Sequence, residues 1–402
     1  MEVVNLTLGD PHGSRPSISS FPMPGTPSKF SAVLREWPLA LVVVTLAALI
    51  LGKGFVAPLL ESSIAAVFIL LVICAVILAA AVATVRHADV LAHRLGEPFG
   101  TLLLTLAITG LEVAMVGFVM STGDEKPTLA RDTMFAVVML VLNGFMGLSL
   151  LLGGLRHNEQ SYNLQSANAF LILIIPLTVL GLVLPNFTKS TSGPTLSTFQ
   201  MVFLSIMSLA IYAIFMYVQN RRHKGFFVSP EEHATEAAAA EHDHQQAAAV
   251  GAERSTLFHS LMLGAYGLPL VMLAKQMSLP LEAMVERLNA PLALSGFIMA
   301  TLVLTPESIA AVKAARENRL QRSVNVLLGS VLASIGLTIP LVITISLVTG
   351  RGLTLGLEPA EMVLLALTLF TATLTFALPR TNVLLGCVHL LLFGAYVMLM
   401  FD

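Results

Sequence analysis

Charged residues are scarce in this sequence. They make up 11% of its 402 residues, whereas hydrophobic residues make up 56%, and a soluble globular domain usually carries about 25% charged residues. No basic block is present and the formal net charge is -2 at pH 7, so we expect no nucleic-acid partner. Apolar runs long enough to cross a bilayer as helices predict an integral membrane protein surrounded by lipid.

Cysteine is almost absent, which argues against two further classes of protein. Cys74 and Cys387 both lie inside apolar runs, which is typical of packing residues and not of a disulfide framework or a zinc site. The sequence has no cluster of histidine and cysteine for a soft metal, and no HExxH signature in any apolar run. We therefore expect neither a resident cofactor nor an enzyme.

Eleven apolar segments predict an all-α polytopic protein with about eleven transmembrane helices. They lie near residues 37–58, 62–85, 98–121, 133–155, 168–185, 196–219, 256–274, 290–312, 323–349, 359–378 and 382–401. Residues 1–35 are polar and lack the form of a cleavable signal. We therefore expect a mobile N-terminus followed by a retained first helix at 36–60.

One polar segment, 221–255, is too long for a tight turn and divides the last ten apolar segments into two sets of five. The sequence thus predicts one five-helix repeat at 61–220 and a second at 256–402. Lysine and arginine favour the cytoplasmic side of a membrane protein. Placing the N-terminus in the cytoplasm puts 15 of the 22 Lys and Arg residues on that side, which predicts a cytoplasmic N-terminus and linker.

The two sets of five resemble each other when Glu112 is set against Glu307. The matched stretches are ITGLEVAMV (108–116) with VLTPESIAA (303–311) and, after a four-residue shift, LARDTMFAVVMLVLNG (129–144) with LQRSVNVLLGSVLASI (320–335). Because five is an odd number of spans, the second set must enter the membrane upside down. Inverted repeats are typical of secondary transporters, whose binding sites lie near the midplane.

The two glutamates are the main candidates for binding a cation and protons. A charged side chain at the centre of a membrane helix costs about 2.5–3.5 kcal/mol. Two at matched positions indicate a function, and carboxyls hydrogen-bonded to a neighbouring helix are the structural alternative. Carboxylate, hydroxyl and amide oxygens suit hard cations such as calcium. The other candidates of this kind are Thr109, Asn143, Thr305, Ser330 and Ser334.

The carboxyl groups also predict coupling to protons. Burial favours the neutral form of a carboxyl group, whereas a bound cation favours the charged form, so cation and protons exclude each other. The leading hypothesis is a calcium/proton antiporter, and a sodium or potassium/proton antiporter of the same fold is the near alternative. A non-transporting calcium sensor is the alternative from another class.

Several residues outside this set are candidates for accessory roles. Glu361 at the outer end of the tenth segment, together with Asn325 and His389 inside segments, is a candidate for the ion or proton path. The alternatives are a solvated helix start for Glu361 and an interhelical hydrogen bond for His389. Pro306 directly precedes Glu307 and predicts a break in that helix.

The linker is a candidate regulatory calcium site. From residue 231 to residue 253 it holds six acids and three histidines but no Lys or Arg. Carboxylate oxygens suit calcium, and a solvated tether is the alternative interpretation. The acids concerned are Glu231, Glu232, Glu236, Glu241 and Asp243.

Three stretches resemble the bacterial ChaA-type calcium/proton antiporters of the cation/calcium exchanger superfamily. They are GEPFGTLLLTLAITGLEVAMV, PTLARDTMFAVVMLVLNGFMGLSLLLGGLRHNEQSYNLQSANAFL and ENRLQRSVNVLLGSVLASIGLTIP. The resemblance implies one helix followed by two inverted five-helix repeats in a bacterial inner membrane. It also implies an acidic cytoplasmic segment between the repeats, and alternate binding of calcium and protons at Glu112 and Glu307.

Two departures from the superfamily pattern concern ion selectivity. Much of the superfamily carries Gly-Asn before the glutamate, where this chain has Ile-Thr at 108–109 and Val-Leu at 303–304. The Gly-Ser of the following helix is kept at 329–330 but is replaced by Val-Met at 138–139. The predicted ligand set is therefore poorer in amides than the superfamily norm.

Overall fold

The structure is a computed structural model that describes residues 36–95, 99–121, 126–219, 255–288, 291 and 293–401. The N-terminal residues 1–35 and the acidic segment 231–253, for which we predict a regulatory calcium site, lie outside the described residues. Within the rest, the chain from Pro38 onwards folds as one compact unit.

Helices make up nearly all of the described chain, which confirms the predicted all-α polytopic fold. In order they are α1 (Trp37–Leu51), α2 (Lys53–Leu59), α3 (Ser63–Leu95), α4 (Phe99–Ser121), α5 (Leu129–Val138), α6 (Met146–His157), α7 (Leu164–Thr178), α8 (Thr198–Tyr217), α9 (Thr256–Leu288), α10 (Ala293–Arg316), α11 (Leu320–Thr349), α12 (Pro359–Thr375) and α13 (Val383–Met400). A π-helical stretch, Met139–Phe145, joins α5 to α6, and π and 3₁₀ turns at Val179–Val183 and Leu184–Phe187 extend α7.

These helices account for the eleven apolar segments. In the described chain eight helical spans are long and apolar enough to cross a bilayer, α1 with α2 makes a ninth, and α12 and residues Leu106–Ser121 of α4 are shorter apolar helices. The first predicted span is not one straight helix, because α1 and α2 meet at 83°. The break falls at Gly52, where a Cβ would lie 2.4 Å from the carbonyl oxygen of Ala48.

Short-range signals set several helix ends. Ser197 and Gln200 form a reciprocal capping box at the start of α8. The Asn163 side chain accepts hydrogen bonds from backbone N–H groups in the first turn of α7. Gly350 ends α11 with a φ of +71°, the left-handed conformation in which glycine carries no steric penalty.

Successive connections alternate between two ends of the helical bundle. At one end, here called the Gln160 end, strand β1 (Gln160–Ser161) pairs antiparallel with strand β2 (Arg380–Thr381). The side-chain amide of Gln160 also donates to the backbone oxygen of Ala315, at 2.8 Å. This end therefore gathers the connections that follow α6, α10 and α12.

The opposite end, here called the Pro127 end, gathers the connections that follow α4, α7 and α11. The backbone N–H of Thr354 donates to the carbonyl oxygen of Pro127 at 2.9 Å. The N–H of Gly356 donates to the carbonyl oxygen of Pro194 at 3.2 Å. Helix α11 runs from the Gln160 end to the Pro127 end.

The two glutamate helices, α4 and α10, run in opposite directions. Helix α4 finishes at the Pro127 end, where the carbonyl oxygen of Met120 accepts a hydrogen bond from Arg351 Nη1 at 3.0 Å. Helix α10 finishes at the Gln160 end, where His157 Nε2 lies 2.9 Å from the carbonyl oxygen of Arg316. Opposite courses of matched helices are what an inverted repeat requires.

Two spans form the centre of the bundle. In an apolar 18-residue stretch of each span, 78% of the residues are buried in Leu129–His157 and 67% in α11, whereas only 22% are buried in α13. A span that contacts other helices all round lies inside a membrane protein, and a span with an exposed apolar face lies against lipid. The centre therefore consists of the helices that follow the two glutamate helices in the sequence.

Candidate functional site

Both glutamates bind side chains of the same helix, α11. The hydroxyl of Ser334 donates to Glu112 Oε2 at 2.5 Å, and the hydroxyl of Ser330 donates to Glu307 Oε2 at 2.6 Å. The two serines are four residues apart and therefore neighbours on one helix face, with Cβ atoms about 5–6 Å apart. Two carboxyl groups from opposite halves of the chain thus meet on one stripe of hydroxyls.

This pair of carboxyls lies near the middle of helix α11. Ser330 is ten residues from the start of α11 and Ser334 is fifteen from its end, which at 1.5 Å per residue places the stripe roughly 15 and 22 Å from the two ends of the helix. Glu112 is 4% exposed, whereas Glu307 is partly exposed. The matched glutamates therefore differ in their access to solvent or lipid.

Close backbone approach brings the second glutamate helix to the first half. Gly296 in α10 lies so near α5 that a Cβ would stand 2.6 Å from the backbone nitrogen of Thr133. Small residues at helix interfaces permit such contacts in membranes. Helix α10 also continues through Pro306 without a break, so the expectation of a broken helix at Glu307 is not met. Neighbouring helices and polar side chains can satisfy the backbone groups that a proline frees.

Asn143 and His389 are brought together in a hydrogen-bonded group with two threonines. The Asn143 amide nitrogen donates to Thr368 Oγ1 at 2.8 Å, and its oxygen lies 3.2 Å from His389 Nδ1. On its other side His389 Nε2 lies 3.0 Å from Thr375 Oγ1. All four residues are buried. We call them the Asn143 cluster; it connects the π-helical stretch with α12 and α13.

The remaining predicted residues occupy different surroundings. Thr109 is buried one turn before Glu112 on the same helix. Thr305 donates its hydroxyl to the backbone oxygen of Thr301 at 2.5 Å, so its proton is used within α10. Asn325 lies nearer the Gln160 end, where its side-chain oxygen accepts hydrogen bonds from Ser166, at 2.8 Å, and from Gln321, at 2.7 Å.

Glu361 lies at the Pro127 end as part of a helix start. Its carboxylate accepts the backbone N–H of Glu358 at 3.0 Å, and the two residues form a capping box at the start of α12. Arg131 lies at the same end of the bundle. Its guanidinium forms an ion pair with Asp132 at 2.8 Å and donates to the carbonyl oxygen of Gly356 at 3.3 Å. Glu361 thus lies at the start of α12, at the Pro127 end of the bundle.

Asp132 is a buried acid that the sequence did not single out. It is 5% exposed and pairs with Arg131. A signal was available, because the alignment of the two halves sets Asp132 against Ser323, which is also polar and fully buried. Burying such a pair costs desolvation energy, which the attraction between its charges must offset.

In the described chain no three side chains of His, Cys, Asp or Glu come together as a metal site. A cation between the two glutamates would therefore be held by two carboxylates together with neutral oxygens. The serine hydroxyls are the neutral oxygens that already contact the carboxyls. Such an all-oxygen set suits sodium, potassium or calcium and not a soft transition metal.

Known proteins with the same architecture are ion exchangers or transporters. The family model described as sodium/calcium exchanger protein matches residues 65–220 and again residues 258–401. The y4hA protein of Sinorhizobium fredii is 42% identical over 334 residues, which cover 83% of this chain and 88% of that protein. The sodium-potassium/proton antiporter ChaA of Escherichia coli is 39% identical over 325 residues, 81% of this chain and 86% of its own.

A solved structure shows the same fold. The crystal structure of the Ca2+/H+ antiporter protein YfkE superposes with a TM-score of 0.68 and 17% identity, covering 91% of this chain and 99% of YfkE. The two stretches matched by the family model fall on either side of the linker and each contains one of the two glutamates. The chain is a member of the sodium/calcium exchanger protein family.

Proposed function

We propose that this chain is a cation/proton antiporter that exchanges calcium for protons at Glu112 and Glu307. The observation that carries the proposal is the convergence of both carboxyls on Ser330 and Ser334, one helical turn apart at mid-depth of α11. Intramembrane carboxyls facing the bundle interior mark ion pathways in membrane proteins. Convergence from two oppositely directed helices supports a single shared site.

Charge and ligand number favour a divalent cation. Two ionised carboxylates carry two negative charges, which one calcium ion neutralises. Calcium takes six to eight oxygen ligands in flexible geometry. The two carboxylates offer four oxygens, the two serines add two hydroxyls, and Thr109 lies one turn from Glu112. Water completes the shell in this proposal.

The serine hydroxyls also suit a site that alternates between cation and protons. A hydroxyl can donate to a carboxylate or accept from a carboxylic acid. Ser330 and Ser334 can therefore stay bonded to the glutamates in both states, and only the direction of each bond changes. Because two adjacent buried carboxyls cannot both remain charged without a counter-ion, loss of the cation draws protons in.

Alternating access follows from the arrangement of the glutamate helices. One of them runs toward the Pro127 end and the other toward the Gln160 end, while α11 provides a common surface for both carboxyls. Rocking of one half against the other then opens the site to one end at a time. The distribution of Lys and Arg supports the Gln160 end as the cytoplasmic end in a bacterial inner membrane.

A sodium or potassium/proton antiporter is the second candidate. The observation that favours it is the name of the Escherichia coli relative, a sodium-potassium/proton antiporter at 39% identity. The same carboxylates would then bind one or two monovalent ions. The site residues and the inverted architecture are common to both candidates, so only ion selectivity separates them.

Flux in proteoliposomes with an imposed pH gradient tests the proposal. Calcium, sodium and potassium are supplied in turn, and proton movement and cation uptake are both recorded. We expect calcium to drive proton movement in native protein and none in a Glu112→Gln, Glu307→Gln double variant. Glu159→Gln is the matched control, because Glu159 forms an exposed ion pair with Arg380 at the Gln160 end. Sodium- or potassium-driven exchange without calcium exchange would select the second candidate.

A further inference from the structure

A groove lies on the outer surface of the bundle, alongside helices α4 and α11, which the Glu112–Ser334 hydrogen bond joins. It has a volume of about 450 Å³ and is bounded by α4, α9 and α11, within the roughly 300–1,000 Å³ of typical small-molecule sites. On α4 it is formed by Ala114, Gly117 and Ser121, which are small residues on one face. A Cβ on Gly117 would lie 2.7 Å from Ile345 Cδ1, so the Ile345 side chain packs directly on the α4 backbone along the floor of the groove.

The groove runs from the depth of the carboxyl pair to the Pro127 end. Ala114 is two residues beyond Glu112, and Ser121 and Thr349 are the last residues of their helices. At 1.5 Å per residue the α4 side of the groove is roughly 10 Å long. Its lining is almost wholly apolar, since the hydroxyls of Ser121, Thr344 and Thr349 donate to their own helix backbones. An extended apolar chain fits this shape and chemistry.

Two cationic side chains stand near the Pro127 end of the groove: Arg351, whose guanidinium donates to the carbonyl oxygen of Met120, and Lys275. Lys275 follows Val271, a lining residue, by one turn of α9, and its Nζ lies 5.8 Å from the ring centroid of Phe118, another lining residue. Among the described residues no carboxylate forms an ion pair with Lys275. Lysine at the end of an apolar surface extends its ammonium group toward the polar headgroup layer.

We infer that this groove binds an anionic phospholipid, with an acyl chain along the groove and the phosphate on Lys275. The apolar floor accounts for the chain, and the partly buried ammonium accounts for a negative headgroup, because a lysine ammonium group binds phosphate as a point charge. The lipid would contact both α4 and α11. It would therefore bridge, from outside, the two helices that the Glu112–Ser334 bond joins inside.

Native mass spectrometry of the full chain tests this inference. Purified protein is titrated with phosphatidylglycerol and, separately, with phosphatidylcholine that has the same acyl chains. We expect native protein to retain phosphatidylglycerol in preference to phosphatidylcholine. Lys275→Gln should lower that preference by about fivefold, which corresponds to about 1 kcal/mol for one basic residue near an anionic surface. Lys275→Arg should keep the preference.

Lys313 offers a matched control. It is exposed on α10 and pairs with Glu317 one turn later, so Lys313→Gln removes one cation without touching the proposed site and should leave the preference unchanged. Ala114→Leu, at an exposed position, fills the groove and should weaken retention of both lipids. Equal preference in Lys275→Gln and native protein would overturn the assignment, as would displacement of the lipid by excess glycerol phosphate.

Discussion

The two glutamate-bearing halves are alike in their spans but not in what they give to the central site. In the second half, Glu307 bonds Ser330 of the helix that follows it in the sequence. In the first half, Glu112 bonds no residue of its own following helix in the described structure and instead bonds Ser334 of the second half. One helix, α11, therefore supplies the hydroxyls for both carboxyls.

The difference begins with two pairs of residues. The alignment of the halves sets Ser330 against Met139 and Ser334 against Asn143. A thioether is a weak hydrogen-bond acceptor and offers a carboxylate no donor. The Asn143 amide does carry donors, but they are engaged with Thr368 and the sulfur of Met139. The first half thus lacks a free hydroxyl where the second half has two.

Backbone geometry follows the same division. The first-half stretch Met139–Phe145, which contains Met139 and Asn143, is π-helical, whereas α11 is α-helical throughout. A π-helical turn rotates the residues after it relative to a regular helix, and such turns occur mainly at functional sites. We expect this rotation to direct Asn143 toward α12 and α13. Helix α11 thus binds both carboxyls, whereas the π-helical stretch contributes to the Asn143 cluster.

Substituting the two carboxyls should have the largest effect on transport, and the effect should be the same in both halves. Glu112→Gln and Glu307→Gln each keep the size of the side chain and remove its charge and its titratable proton. If both carboxyls share one cation, either change should reduce calcium-driven proton movement to the level of empty liposomes. Transport assays on protein that elutes as a normally assembled peak provide the measurement. Near-native exchange in either variant would mean that this glutamate is not part of the site and that the two halves are not equivalent there.

The next effect separates the two serines. Hydrogen bonds to charged groups contribute about 1.5–3 kcal/mol, so Ser334→Ala and Ser330→Ala should each weaken apparent cation affinity by roughly tenfold or more. We expect the larger loss for Ser334→Ala, because its partner Glu112 is 4% exposed and has less access to replacement water than Glu307. Isothermal titration of calcium in detergent gives the two affinities.

Ser346→Ala is the matched control for the serine variants, since Ser346 lies in α11 near the Pro127 end and its hydroxyl donates to the backbone oxygen of Arg351, beyond the end of the helix. Its calcium affinity should remain native. Equal losses in all three variants would mean that the α11 hydroxyls act through helix packing and not through the carboxyls.

A smaller effect on transport, but a clear effect on stability, is expected at Asn143. Asn143→Ala removes one hydrogen-bond partner from each of the buried side chains of Thr368 and His389, which keep only the Met139 sulfur and Thr375 respectively, and each lost hydrogen bond costs about 0.5–1.5 kcal/mol. Thermal unfolding in detergent should shift downward, while calcium affinity falls less than in Ser334→Ala. The exposed residue Asn168 provides the control, because Asn168→Ala should leave the unfolding temperature almost unchanged. A loss of affinity as large as that of Ser334→Ala would make the halves equivalent after all.

Much of the fold could be predicted from hydropathy alone. Each of the eleven apolar segments corresponds to described helices, because a bilayer forces about 20 apolar residues into a helix whatever their identity. The bend at Gly52 and the π-helical stretches could not be predicted. The bend depends on the close approach of Gly52 to the carbonyl oxygen of Ala48 in the preceding helix, α1, and the π-helical stretches depend on the direction of single carbonyl groups. Neither changes the hydropathy of the sequence.

The candidate site could be predicted in its residue types but not in its pairings. Both glutamates and both serines were identified by their matched positions and spacing, and the structure joins them. The partner of Asn143 could not be predicted, because spacing within one helix does not say which neighbouring helix faces it. His389 and Thr368 lie more than 200 residues away in the sequence, and only the packing of α12 and α13 brings them to Asn143.

The linker between the halves should have a modest effect. Its segment 231–253 carries six acids and no Lys or Arg, and we propose that it senses cytoplasmic calcium. Deleting it should leave both halves assembled and transport active, while the calcium or pH dependence of the rate shifts. Rate curves at several calcium concentrations and pH values, measured on native and deleted protein, provide the test. Superimposable curves would assign the segment a tethering role only.

The smallest expected effect is that of membrane potential on the calcium accumulation ratio. Two carboxyls can release at most two protons when one calcium ion binds, and adjacent buried carboxyls without a counter-ion favour the doubly protonated state. Exchange at this pair then moves two protons against one calcium ion and carries no net charge. If one glutamate stayed ionised throughout, only one proton would move and each cycle would transfer one charge. The potential acts on such a charge with about 2.3 kcal/mol per 100 mV.

Clamping liposomes at zero and at -100 mV, with the pH gradient fixed, distinguishes these schemes. One transferred charge would change the accumulation ratio roughly 50-fold between the two potentials, since about 1.4 kcal/mol corresponds to a factor of ten. We expect no change, because Glu112 and Glu307 each contribute one proton despite their different exposure. The two halves would then each release one proton per calcium ion, although their glutamates differ in exposure. A ratio that follows the clamped potential would mean that the more exposed carboxyl, Glu307, and the buried Glu112 differ in charge as well as in their surroundings.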